Sequence, residues 1–305
     1  MNAAMLEKLR GVFPALITPF TETGTINHRV VRNLVQRTAE RGVDGYYVAG
    51  STGEGLLLDL NERKQLLETV LKEVGGRLTV IAHIGCVRTN DAVELARHAA
   101  ETGTDAISAI PPVYFPVGWQ GVELHYRRIA EATELPLIIY NIPRRTGVTI
   151  DFEATRSLAT IPNIAGMKFS DYNLHQMQLI TQLHEGRFVV FNGNDEVFLS
   201  GLVAGARGGI GSTYNLMPRQ FAEVFRLYHS GEIAAAREVQ ARINQVVRIF
   251  FESGSIILSC LRSVLRQLGT DTGHSRFPIP PLTPEVEKRI QAQLREIGFF
   301  DWLET

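Results

Sequence analysis

The chain has 305 residues, 45% of them hydrophobic and 21% charged, enough for one large domain or two small ones. A formal net charge of −1 gives no electrostatic footprint for nucleic acid or for an anionic membrane surface. The two cysteines, Cys86 and Cys260, are far apart and lack metal-ligand spacing, so they read as buried thiols in a reducing compartment rather than as a disulfide framework.

The first ten residues are too polar for a signal peptide, and no run approaches the ~18 apolar residues of a membrane span. A cytoplasmic chain is expected. From there, β-type runs alternate with helical patterns. Strands are predicted at Gly11–Thr18, Gly45–Ala49, Leu78–Ile84, Asp105–Ile110, Leu135–Asn141, Ile164–Phe169, Phe188–Asn192 and Gly208–Ser212. Between them lie helices at Arg29–Arg41, Asn61–Val74, Asn90–Thr102, Gly121–Glu131, Phe152–Thr160, Leu174–His184 and Asp195–Ala204, with Arg219–His229 after the last strand. Leu135-Pro-Leu-Ile-Ile139 is apolar on both faces, as a parallel strand covered by helices should be.

Strand one runs into Thr18-Pro19-Phe20 with no glycine-rich dinucleotide fingerprint, and eight evenly spaced units favour a closed (β/α)8 barrel over an open sheet. The barrel should occupy residues 1–229. Helices at Ile233–Phe251, Ile256–Leu268 and Pro284–Ile297 should pack on it as part of the same single domain, 1–305.

In such a barrel the chemistry belongs at the carboxyl ends of the strands. After strand two stands Gly50-Ser51-Thr52-Gly53-Glu54-Gly55, a small-residue turn whose N–H groups and hydroxyls suit a carboxylate or phosphate, or which serves only as loop. Strand five ends in Tyr140-Asn-Ile-Pro-Arg-Arg145-Thr-Gly147, where Tyr140 is either a proton carrier or a tyrosine closing the barrel. Strand seven ends in Asn192-Gly-Asn-Asp-Glu196 and strand eight in Gly208-Gly-Ile-Gly-Ser-Thr-Tyr-Asn215. Strand six ends at Lys168. Only five lysines occur, and the other four sit in polar helical surroundings. Lys168 either snorkels to solvent from a strand end or is a desolvated amine, and a desolvated amine is a nucleophile for carbonyl carbon. His83, in a strand core, reads as a satisfied buried histidine, and no cluster suggests a metal.

The combination GSTGE, YNIPxxTG, GxKF and GIGSTYN resembles the pyruvate-dependent class I aldolases, the family of N-acetylneuraminate lyase and dihydrodipicolinate synthase, from about Gly11 through the helical tail. Ser51, Ile81-Ala-His-Ile-Gly-Cys-Val87, Asp105-Ala-Ile-Ser-Ala109 and the strand-seven and strand-eight motifs resemble the lyase branch. Arg145 instead matches the synthase pattern, where an arginine helps hold a substrate carboxylate.

The resemblance implies that the Ser51–Thr52 loop holds a keto acid's carboxylate and that Lys168 forms a Schiff base with it, so that pyruvate is bound covalently and no cofactor is needed. It further implies that Tyr140 carries protons and that Tyr114 reaches a neighbouring subunit's site in a homotetramer. Ser170, Gly193, Asp195, Glu196, Gly211 and Ser212 would hold a polyhydroxylated tail. Asp195 also reads as a plain helix N-cap. The expected reaction is cleavage of N-acetylneuraminate or a related 2-keto-3-deoxy sugar acid to pyruvate and an aldehyde. Condensation of pyruvate with aspartate semialdehyde is the alternative, and a catalytically idle keto-acid-binding barrel the remote one. The partner is a small keto or sugar acid, not nucleic acid or membrane.

Overall fold

In the computed structural model, which describes residues 3–304, eight parallel strands hydrogen-bond in the order β1-β8-β7-β6-β5-β4-β3-β2 with helices outside them, a (β/α)8 barrel followed by C-terminal helices. Met1, Asn2 and Thr305, counted in the single domain above, lie outside the described residues. The strands are β1 Gly11–Pro14, β2 Gly45–Val48, β3 Thr79–His83, β4 Ala106–Ala109, β5 Leu137–Asn141, β6 Ile164–Phe169, β7 Val189–Asn192 and β8 Gly208–Gly211, each inside its predicted run. At the seam, the Asp44 N–H donates to Val12 O and the Leu16 N–H to Tyr47 O, both at 2.9 Å. A bridge between Ala15 and Tyr47 completes the closure.

Side chains alternate between two buried layers. Phe13, Tyr47, Ile81, Ala106, Ile138, Tyr140, Val189, Phe191 and Ile210 fill the barrel interior. Their neighbours Val12, Tyr46, Val48, Val80, Ala82, Ile107, Leu137, Ile139 and Val190 face the helices. Leu9 joins the inner layer with Met5 and Leu6 packed against it, so the unpredicted helix Ala3–Lys8 contributes to one end of the barrel core.

β6 breaks the alternation once. Leu137 pairs with Ile164 but Ile138 pairs with Gly166, so Ala165 is an extra residue, a β-bulge. Ile164 and Met167 consequently both face the helices, three residues apart, and Lys168 is turned to the interior between the outward Met167 and Phe169.

The helices Ile233–Glu252, Ile257–Gln267 and Pro284–Glu296 bury Ile243, Val246, Phe250, Leu261, Leu265 and Ile290 in the same cluster as the barrel's outer layer. Two predicted helices differ. Asp195–Ala204 is a 3₁₀ turn, Asp195–Val197, followed by a short α-helix, Phe198–Val203. The helix predicted to reach His184 stops at Thr181. His184 and Glu185 take left-handed backbone, with φ of 53° and 60°, and the imidazole of His184 meets Ala159 O at 3.0 Å. No helix among the described residues is long and apolar enough to cross a membrane.

The β1–β8 seam depends on glycine. A Cβ on Gly208 would lie 2.0 Å from Gly11 O and 2.5 Å from Gly11 N. Gly208→Ala should therefore cost about 1–3 kcal/mol of stability, read as a shifted denaturant midpoint in circular dichroism.

Candidate active site

Tyr140 on β5 and Lys168 on β6 are register partners, so their side chains enter the barrel mouth together. Lys168 is only 4% exposed. Its Nζ lies 4.3 Å from the centre of the Tyr140 ring and 4.5 Å from that of Tyr47. Two aromatic faces thus take the place of water around the amine. Tyr47 is fixed in turn by a 2.9 Å hydrogen bond from its hydroxyl to Ser108 Oγ.

Burial pushes the Tyr140 phenol up, but the charge of Lys168, the nearby Ser51 hydroxyl and the charge of Arg145 outweigh it, and its pKa lies below the ordinary phenol value. Tyr47, equally buried, is driven the other way, first by burial and then by the nearby Tyr140. The two phenols are therefore inequivalent, and Tyr140 is the one disposed to exchange a proton.

The Gly50–Gly55 turn stands beside them. Ala49 and Glu54 are non-glycine residues in left-handed backbone, φ 57° and 56°. The turn closes through Gly55 N–H to Gly50 O at 3.0 Å, and Thr18 Oγ1 donates to Gly53 O at 2.6 Å. A Cβ on Gly55 would sit 1.8 Å from Ala49 O, so no larger residue fits. The N–H groups of Thr52 and Gly53 find no protein acceptor among the described residues, which leaves them for an anion.

A buried ion pair holds this strained turn. The Glu54 carboxylate, fully shielded, accepts from Arg262 Nη2 at 2.5 Å and from the Arg276 N–H at 2.8 Å. Arg262 uses its other N–H groups on Thr18 O (2.8 Å), Thr272 O (2.6 Å) and Ser275 Oγ (3.0 Å). The C-terminal helix Ile257–Gln267 therefore reaches across the mouth to brace the loop.

One cavity of about 390 Å³ joins these groups: Ser51, Thr52, Tyr140, Arg145, Lys168, Ser170, Gly193, Asp195, Glu196 and Ser212 all line it. Gly211 is buried in β8, where a Cβ would strike Asp195 Oδ1 at 2.2 Å. Tyr114 does not join them. It is 86% exposed, at φ 76°, against Phe115 in the β4–α loop.

Asp195 does not cap a helix. Its Oδ2 accepts from Thr213 N and Thr213 Oγ1, both 2.7 Å, and from Ser212 Oγ at 3.2 Å, which pins the end of β8. Burial raises its pKa against those bonds. Ser170 Oγ is buried without a partner, and a Cβ on Gly193 would fall 2.0 Å from it, so Gly193 is the space that hydroxyl occupies.

The histidine expectation holds by half. His83 Nδ1 meets Ala49 O at 3.0 Å, but Nε2 has no partner. Burial, then Arg63, keeps the ring neutral by driving its pKa well down. No cluster of metal-ligating side chains occurs among the described residues.

Sequence reading missed Tyr47, Arg144 and Tyr172, and also Val247, Phe251, Ile257 and Leu258 from the C-terminal helices, all of which touch Lys168 or line the cavity. For Tyr47 a signal existed: it is the interior-facing member of the Tyr46-Tyr47 pair, three residues before the loop. The C-terminal residues carry no motif.

The sequence profile described as the dihydrodipicolinate synthetase family matches residues 8–297. An N-acetylneuraminate lyase from Enterobacter sp. (strain 638) is 39% identical over 295 residues, spanning 96% of this chain and 98% of its own. A catalytic-lysine mutant of the sialic acid aldolase of Ruminococcus gnavus superposes with a TM-score of 0.91 at 33% identity, over 96% of this chain and 98% of that one. The dihydrodipicolinate synthase of Aquifex aeolicus does so with a TM-score of 0.90 at 31% identity, over 95% and 98%.

Removing one partner of the Glu54–Arg262 pair strands a buried charge. Arg262→Met should destabilise the protein by about 3–5 kcal/mol, measured by urea unfolding.

Proposed function

We propose a sugar-acid cleavage for this chain, which belongs to the dihydrodipicolinate synthetase family and is a lyase of the class I aldolase type. The substrate is N-acetylneuraminate or a related 2-keto-3-deoxy sugar acid, and the products are pyruvate and an aldehyde. The observation that carries this reading is the buried Lys168 amine between Tyr47 and Tyr140, facing an anion-accepting turn across one cavity.

The substrate carboxylate lies on the Thr52 and Gly53 N–H groups with the Ser51 and Thr52 hydroxyls and Arg145. Lys168 Nζ attacks the adjacent ketone carbon and water leaves, forming an iminium. Loss of the C4 hydroxyl proton then breaks the C3–C4 bond, whose electron pair flows to the iminium nitrogen and gives an enamine. Reprotonation at C3 and hydrolysis release pyruvate and free the amine. Tyr140, with its lowered pKa and its place beside Lys168, carries the protons.

Ser170, Gly193, Asp195, Glu196, Gly211 and Ser212 serve the hydroxylated tail. Ser170 offers an unsatisfied hydroxyl, whereas Asp195 acts chiefly by fixing the β8 end. No cofactor enters; pyruvate is held on Lys168 itself. Tyr114 completes the site of a second copy in a homotetramer, a reading supported by its exposure and by its not lining its own cavity. The two free thiols accord with a cytoplasmic enzyme.

Borohydride with pyruvate should trap a covalent adduct that peptide mass spectrometry maps to Lys168, absent in Lys168→Arg. Pyruvate release from N-acetylneuraminate, set against turnover of pyruvate plus aspartate semialdehyde, decides the branch: reaction of the latter pair alone would overturn the cleavage reading. Proton donation by Tyr140 is present below its pKa and lost as pH rises through it. Because that pKa is lowered, the alkaline limb of the kcat profile should fall below pH ~10, the ordinary phenol value, and Tyr140→Phe should cost roughly 10²–10⁴-fold in kcat.

A further inference from the structure

Arg144 is not used by the mechanism above. It sits beside Arg145 on the short helix Pro143–Thr146 that follows β5, and both guanidiniums line the cavity. Neither is ion-paired to a carboxylate among the described residues, whereas Arg262 and Arg276, which brace the Gly50–Gly55 turn, both are. Two adjacent cations without counter-ions, facing a concave site, concentrate positive potential where a ligand must lie.

The two are not equivalent. Arg145 acts electrostatically on Tyr140 and also borders a neighbouring cavity of about 440 Å³ that contains Ser51 and His83, so it stands at the reacting end. Arg144 lines the Lys168 cavity without bordering that neighbouring one, and its charge acts on Tyr172, whose hydroxyl bonds to Glu196. Burial and Glu196 raise the pKa of Tyr172 to about 12, so a neutral phenol stands between the guanidinium and the carboxylate. Arg144 is steered by that phenol but not neutralised by it. Its planar fork remains suited to a bidentate oxyanion at the tail end of the substrate.

We infer that Arg144 binds a second anionic group at the far end of the substrate, so that the natural substrate is a 2-keto-3-deoxy sugar diacid with a terminal carboxylate. This rests on the aldolase reading and selects among its substrates. Arg145 and the Thr52–Gly53 turn take the carboxylate next to the ketone, and Arg144 takes the distal one. Glu196, Ser170 and Ser212 face the hydroxyls between them.

The test is the ratio of kcat/KM for a six-carbon 2-keto-3-deoxy aldarate to that for the 2-keto-3-deoxy aldonate of the same stereochemistry, which differs only in ending in CH2OH. The wild-type ratio should exceed ten and fall at least tenfold in Arg144→Gln, while Arg144→Lys restores part of it. Added salt should lower the wild-type ratio and leave that of Arg144→Gln nearly flat. A ratio near one in the wild type, or one that Arg144→Gln does not move, overturns the inference and leaves Arg144 as a strap for Tyr172. The lysine variant and the salt series decide the matter if the glutamine variant fails to fold. Borohydride trapping with pyruvate separates the two levels. A Lys168 adduct with no diacid preference sinks only this inference, and absence of the adduct sinks the aldolase reading beneath it.

Discussion

The chemistry proposed for this protein depends on one extra residue in β6. A strand that alternated strictly from Ile164 would send Lys168 outward against the helices, into a layer of Leu, Ile and Val side chains where an amine finds no partner and no substrate. The bulge at Ala165 reverses the parity, so Met167 and Phe169 pack outward and Lys168 points in. It also fixes which residue of β5 lies alongside: Tyr140 rather than Asn141. Lys168 and Tyr140, the proposed nucleophile and proton carrier, are thus matched by backbone pairing. This register is more exact than loop packing, because a slip by one residue would invert every side chain of the strand.

What the barrel cannot supply is a rigid turn for the anion. Left-handed Ala49 and Glu54 oppose their own backbone preferences, at a cost of about 1–3 kcal/mol each. The loop keeps this shape because it is over-determined. Thr18 holds Gly53 O, Ala49 O meets His83, and Glu54 is sealed beneath Arg262 and the Arg276 backbone. The last of these contacts reaches from residue 54 to residues 262 and 276, so the C-terminal helices are part of the site's mechanics. They also line the cavity through Val247, Phe251, Ile257 and Leu258. A barrel without them would lose one wall of the cavity and the clamp on the carboxylate-binding turn together.

The fold and the loops were legible for the same reason: in a parallel barrel, local patterns carry the global arrangement. Runs apolar on both faces marked the strands, and small or polar residues at their carboxyl ends marked the rim, so Ser51, Tyr140, Lys168 and Asp195 converge as expected. The bulge was illegible, because an extra alanine in Ile164-Ala-Gly-Met is one more apolar residue in an apolar run. Asp195 misled in a different way. Its position before a helical pattern fits an N-cap, but the partner that claims its carboxylate, Thr213, is supplied by the turn after β8. Tyr172, Arg144 and the C-terminal lining residues were invisible for want of any local pattern: their roles exist only through contacts between distant segments.

The Lys168 amine lies against aromatic faces, and this arrangement suits the two states that the proposed reaction requires of it. A carboxylate against Nζ would favour the ammonium and oppose attack on a ketone. Yet the iminium that follows is a cation and needs solvation in a place from which water is excluded. The faces of Tyr47 and Tyr140, 4.5 and 4.3 Å away, stabilise a cation through their quadrupoles without requiring one to be present. The acidic groups stand further out, where Asp195 is tied to Thr213 and Glu196 to Tyr172. In the proposed reaction these carboxylates face the hydroxylated part of the substrate, while Arg145 and the Ser51–Thr52 turn hold the carboxylate beside the ketone, so that the ketone carbon is delivered to Lys168.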